Sequence, residues 1–93
     1  MNKKKLKIAR RRIDLLDIKL FELFKKRTQI VKHMLSLKKF KSQIVDQTRI
    51  NEILKNIKSK SIKEGIDSKT THKIWKSIIW SHIDFQRRNF KKK

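Results

Sequence analysis

Arg27 stands where a charge is expensive. With Leu6 at position a of a heptad, the a positions are Leu6, Ile13, Leu20, Arg27 and Met34, and the d positions are Ala9, Leu16, Leu23, Ile30 and Leu37. Nine of these ten are apolar, and Arg27 is the exception. An unpaired guanidinium buried in such a seam costs several kcal/mol, so it requires an anionic partner. A carboxylate such as Asp17, Glu22 or Asp46 would make it a structural ion pair, or the Arg would specify register. The alternative partner is the carboxylate of a ligand. Lys38 follows eleven residues later, roughly 20° away in azimuth and about 16 Å along a helix axis. Alone it reads as a solvated cation favoured by a helix C-terminal dipole. With Arg27 it could grip one small dianion. Arg10 precedes Arg27 by seventeen residues, about 25 Å away and about 100° round. On one straight helix it cannot reach the same ligand, and the run Arg10-Arg11-Arg12 then reads as a solvated face. If two copies pair antiparallel, Arg10 of one approaches Arg27 and Lys38 of the other.

Two further polar pairs carry possible chemistry. Asp46 and Arg49 stand three apart at the start of a helical pattern, the spacing of an N-cap and an ion pair worth a few tenths of a kcal/mol. His82 and Gln86 stand four apart, on one helical face with Trp75 and Ile79. They read either as a satisfied buried polar pair or as groups facing a ligand. A single His with no Cys and few carboxylates nearby makes a poor metal site. No metal and no cofactor are expected.

Three helices are predicted to position these residues, in an all-α fold. The apolar seam from Leu6 to Lys38 or Lys39 predicts a first helix roughly 48 Å long, with a coiled-coil-like stripe. A helix that long overshoots any core that 93 residues can build alone. It therefore predicts a partner chain. Residues 39–45 read as a loop. Asp46 caps a second helix whose apolar positions are Ile50, Ile53, Leu54 and Ile57, with Ile62 as a further candidate. It ends near Glu64, with Gly65 in the left-handed position and Ile66 making the contact that follows. Asp67 or Ser68 caps a third helix that reaches about Phe90.

Composition bounds the rest. The chain is one domain, with a core of about residues 6–90 and basic ends, 1–5 and 91–93, that read as frayed. There is no Cys and no Pro, and Gly65 is the one glycine, which argues against disulfides and against a many-turned β fold. Against 28 Lys and Arg stand 8 Asp and Glu, a formal net charge of +20. Such an excess points to anionic partners. Its scattering through a chain rich in Lys, Ile and Asn also fits a drift in codon composition. No apolar run approaches the ~18–20 residues of a membrane span, and the basic N-terminus lacks the apolar stretch of a secretory signal. The expectation is a cytoplasmic protein without membrane contact.

Taken together, these positions resemble a known family. Arg10-Arg11-Arg12-Ile13-Asp14-Leu15-Leu16-Asp17 resembles the R-x-x-I-D-x-L-D opening of the all-helical, type II chorismate mutases. Leu20, Leu23, Arg27, Ile30, Val31 and Lys38 match that family's first-helix pattern. Ile44-Val45-Asp46-Gln47-Thr48-Arg49 looks like its V-x-D-x-x-R start of the second helix, and Glu64-Gly65-Ile66-Asp67 resembles its G-L-D turn. Ile78-Ile79 with Gln86 resembles the end of its third helix. The resemblance covers roughly residues 6–90. It implies a three-helix protomer in an intertwined homodimer that rearranges chorismate to prephenate, in phenylalanine and tyrosine biosynthesis. It also implies that Arg27, with Arg10 of the partner, binds the two substrate carboxylates and that Arg49 adds positive charge. Lys38 and Gln86 would donate hydrogen bonds to the ether oxygen, and Asp46 would hold the ring hydroxyl.

Two positions depart from the pattern. Ile50 follows the D-x-x-R block where the family usually has a Glu, and His82 stands where the third helix often has Ser. Both bear on substrate recognition. Isochorismate-pyruvate lyases, which share the fold and the cations and tolerate an apolar residue after the Arg, are the alternative enzyme. A small basic helical nucleic-acid binder, using Trp75, Trp80, Arg87, Arg88 and the terminal lysines, is the non-enzymatic rival. It gives Arg27 no reason to lie in an apolar seam, since phosphate contacts belong on exposed faces. Nucleic acid is therefore not the expected partner; a small dianion is.

Overall fold

A computed structural model describes residues 2–92. Met1 and Lys93, the outermost residues of the two basic ends, lie outside them. Three helices account for most of the described chain: α1 (Lys3–Ser36), α2 (Gln47–Glu64) and α3 (Ser68–Asn89). Among the described residues there is no strand, and no helix is long and apolar enough to cross a membrane. The fold is all-α, as the sequence predicts.

The helix ends follow local chemistry. Helix α1 begins at Lys3, three residues earlier than expected, so Lys3, Lys4 and Lys5 form its first turn. The side chain of Asn2 accepts a hydrogen bond from the Lys5 amide at 3.0 Å and supplies a cap. The other end corrects the expectation in the opposite sense. The helix stops at Ser36 rather than at Lys38 or Lys39. The Leu37 and Lys38 amides donate to Met34 and Leu35, three residues back, which tightens the last turn. The Gln43 side-chain carbonyl then takes the amides of Lys39 (2.8 Å) and Phe40 (2.9 Å). With those donors captured, the helix cannot continue. A single 3₁₀ turn at Lys41–Gln43 completes the connection, where the sequence suggests only a loop.

Asp46 caps α2 by accepting from the Arg49 amide at 3.0 Å. Gly65, at φ 71°, ends it in the left-handed conformation. Its amide donates to Ile62, and the Ile66 amide donates to Ser61, the paired bonds of a Schellman motif. Asp67 caps α3, its two carboxylate oxygens accepting from the Lys69 amide and the Thr70 hydroxyl. Phe90 stands just past the end of α3.

The chain divides into two compact units, one up to Val31 and one from Lys32 onward. In the second unit α2 and α3 pack side by side. Their core is Ile44, Ile50, Ile79 and Ile83, with Leu35, Val45, Ile53, Leu54 and Phe90 packed against it. Near the Gly65 turn the contact is polar. The buried hydroxyls of Ser61 and Thr71 lie 2.6 Å apart, and Ser61 also donates to the Ile57 carbonyl. The first unit is one length of helix with its apolar seam uncovered: Ile13, Leu16, Leu20, Leu23 and Ile30 are each more than half exposed.

Gly65 is the position where backbone geometry dictates residue type. A Cβ built there meets nothing within 4 Å, so a side chain would pay only for the left-handed backbone. Gly65→Ala should cost about 1 kcal/mol. It should lower the urea midpoint with an unchanged denaturant slope; an unmoved midpoint would show that the turn does not need glycine.

Candidate active site

The second unit brings together residues from three places in the chain. Lys38 lies in the segment after α1, Asp46 at the cap of α2, and His82 and Gln86 on the buried face of α3. The Lys38 ammonium donates to the Gln86 side-chain carbonyl at 2.7 Å. The Gln86 amide nitrogen donates in turn to the His82 backbone carbonyl at 3.3 Å. Gln86 is 6% exposed and His82 4%, so the amide is fixed from both ends within a largely dry environment. Lys38 reaches it from a half-buried position. Partial burial lowers its pKa from the ordinary lysine value, and the Asp46 carboxylate opposes that shift.

Asp46 thus has two neighbours, the amide of Arg49 and, through space, the Lys38 charge. The i,i+3 pair expected between the Asp46 and Arg49 side chains is not formed. The Arg49 guanidinium instead pairs with Glu52, one turn further along α2, and both side chains are exposed. The cap geometry is the cause. It turns the carboxylate toward the backbone of the first turn, while the long Arg side chain extends to the next acid on its own face. The Glu52 pairing was open to detection from its i,i+3 spacing to Arg49, yet Asp46 stood at the same spacing on the other side. Gln43, which orders the segment carrying Lys38, had no signal beyond its place in a polar loop.

Ile50 is 5% exposed and lies in the apolar core with Ile44, Ile79 and Ile83. Lys32 stands over the ring of Phe85 at 6.0 Å from its centroid, a weak cation–π contact on the α3 side of the unit. In the first unit Arg10 is exposed and Arg27 is half-buried.

Residues 9–87 match the family model of chorismate mutase type II. The chain belongs to that family. The chorismate mutase type II match takes in every position singled out from the sequence: Arg10, Arg27, Lys38, Asp46, Arg49, Ile50, His82 and Gln86. No curated protein and no solved structure matches the chain.

The electrostatics around Lys38 give a signed expectation. Because its folded pKa lies below the unfolded one, the folded state binds fewer protons in that window, and raising the pH through it favours folding. Lys38 keeps much of its solvent, so the effect on stability is small. Asp46→Asn removes the nearby negative charge that favours the protonated ammonium, while the bond to Gln86 remains. The Lys38 pKa, followed by NMR at Nζ, should fall further below its wild-type position; an unchanged or higher value would show that the carboxylate does not act on it.

Proposed function

We propose that the protein is a chorismate mutase that converts chorismate to prephenate, and that it does so as a homodimer. The observation that carries this reading is the Lys38–Gln86 contact. Two side chains separated by 48 positions meet at 2.7 Å beside a carboxylate, in a chain that matches the chorismate mutase type II model.

The rearrangement is a pericyclic shift within one molecule and needs no nucleophile and no general base. It needs the dianion held in its compact conformer, and donors where negative charge develops on the breaking C–O bond. An ammonium carries three donors. Lys38 can therefore keep its bond to Gln86 and offer another to the ether oxygen. Gln86 has a long bond to the His82 carbonyl to exchange for the same oxygen. Arg27 and the partner's copy of Arg10 bind the two carboxylates in this reading, because the planar guanidinium pairs bidentately with a carboxylate. Arg49 adds positive charge, Asp46 takes the ring hydroxyl, and His82 and Ile50 bound the remaining recognition surface. The exposed seam of α1 supports the dimer, since five large apolar side chains more than half exposed call for cover. A cytoplasmic setting belongs to the same reading.

One observation favours a second enzyme. Ile50 is drawn into the apolar core and offers no carboxylate to the substrate hydroxyl, which suits an isochorismate-pyruvate lyase. Purified protein given chorismate and isochorismate separately should form prephenate from the first. Pyruvate from isochorismate with negligible prephenate would transfer the assignment to the lyase.

The shared site has its own test. Arg27→Ala and Arg10→Ala should each lower turnover by about 10²-fold or more, the scale of losing one preorganised charge-stabilising donor. After subunit exchange, an equal mixture of the two variants should recover about a quarter of wild-type activity, because half the dimers carry one intact site of two. No recovery after verified exchange would rule out a site built from both chains.

A further inference from the structure

The proposed reaction uses only a few of the 28 cations. The outward face of α3 has a separate organisation. Lys69, Lys73, Lys76, Trp80 and Arg87 are all exposed. At 100° per residue, Lys69, Lys73 and Arg87 lie within roughly 20° of Trp80, and Lys76 within about 40°. They form one stripe about 27 Å long. At its centre Lys73, Lys76, Ser77 and Trp80 border a shallow, open stretch of surface. Asp84 is the one acid of α3, and it is already neutralised by Arg88 at 2.9 Å. The stripe is thus cationic along its length, with an indole 37% exposed at its middle. The face bearing Trp75, Ile79, His82 and Gln86 is centred roughly 130° away round the same helix, so the stripe is distinct from the catalytic side.

We infer that this face of α3 binds single-stranded nucleic acid, with the cations contacting phosphates and Trp80 stacking on a base. Charge complementarity selects a polyanion. The indole narrows the choice, because it needs a flat partner flanked by negative groups at helical spacing. Unpaired bases on a phosphate backbone supply that. An acidic peptide offers the charge without an obligatory ring. An anionic lipid surface calls for an apolar stripe beside the cations, whereas between Lys69 and Arg87 this stripe carries one aromatic among Lys, Ser and Asp. Duplex nucleic acid hides its bases from a lone ring.

The test uses the full chain and a fluorescein-labelled oligothymidylate of about 16 nucleotides, a length in the range of single-strand site sizes. Four phosphate contacts predict an affinity loss of roughly 50-fold on raising salt from about 50 to 200 mM. The pair Lys73→Gln and Lys76→Gln should reduce that dependence to roughly 7-fold. Trp80→Ala should weaken binding by about 5- to 150-fold, the range measured for loss of one stacked base. Trp80→Phe should bind more tightly than Trp80→Ala while losing the tryptophan quenching seen on wild-type binding, which Trp75 alone will not reproduce. Circular dichroism confirms that each variant keeps its helices. Should Trp80→Ala fail to fold, Trp80→Phe and the lysine pair still decide. Wild-type affinity and salt dependence in those variants would overturn the proposal. So would equal binding of a duplex without quenching, or a blue-shifted tryptophan emission on anionic phosphatidylserine vesicles with no oligonucleotide bound.

Discussion

The bond from the Lys38 ammonium to the Gln86 carbonyl organises the second unit. It ties the segment after α1 to the buried face of α3, beside the capped start of α2. Each participant is held by something else. Gln43 captures the amides that follow Lys38, the His82 carbonyl receives the other end of the Gln86 amide, and Asp46 is anchored by the Arg49 amide. The isoleucine core beneath supplies the low dielectric in which such bonds are strong and an unmade one costly. The same burial pulls the Lys38 pKa down while Asp46 holds it up. Cap, core and cation are therefore one arrangement. Moving the cap would shift the pKa of the lysine, and opening the core would wet the amide.

The helices and their punctuation were legible in the sequence because their causes are local. Asp46, Gly65 and Asp67 each act within one turn, and each performs the role its residue type suggests. The end of α1 was not legible. Leu37, Lys38, Lys39 and Phe40 carry no breaker, and the helix stops because Gln43 captures the amides of Lys39 and Phe40. That competition moves Lys38 off the helix, so its azimuth relative to Arg27 cannot be counted at 100° per residue. The partner of Arg49 was equally hidden, since acids at positions 46 and 52 lie at the same spacing on either side of it. What decides between them is the cap, which commits Asp46 to the backbone first.

The meeting of Lys38 with Gln86 is a long-range fact that no periodicity contains. It entered the sequence reading through resemblance to a family, and residues 9–87 match that family's model. Ile50 shows the limit of such a transfer. A family position names a place in the fold without fixing what stands there. An isoleucine at the inner edge of α2 finds its most favourable environment among Ile44, Ile79 and Ile83. A carboxylate at the same place would face the ligand or remain unsatisfied. An isoleucine there thus contributes core packing where the family pattern has a polar side chain.

The charge of the chain sets a final constraint on assembly. Two copies at +20 each repel, and that repulsion opposes the burial that the α1 seam invites. The apolar term is short-ranged and indifferent to moderate salt. The repulsion extends over a Debye length of about 8 Å at physiological ionic strength and shrinks as salt rises. Most of these cations stand exposed, where solvent screens them, so the seam has to overcome only the residual field. A dianion in each proposed site would remove part of that field, and a polyanion along α3 would remove more. Anionic ligands would therefore favour the paired state without touching the seam itself, by the linkage that ties any ligand to the state it prefers.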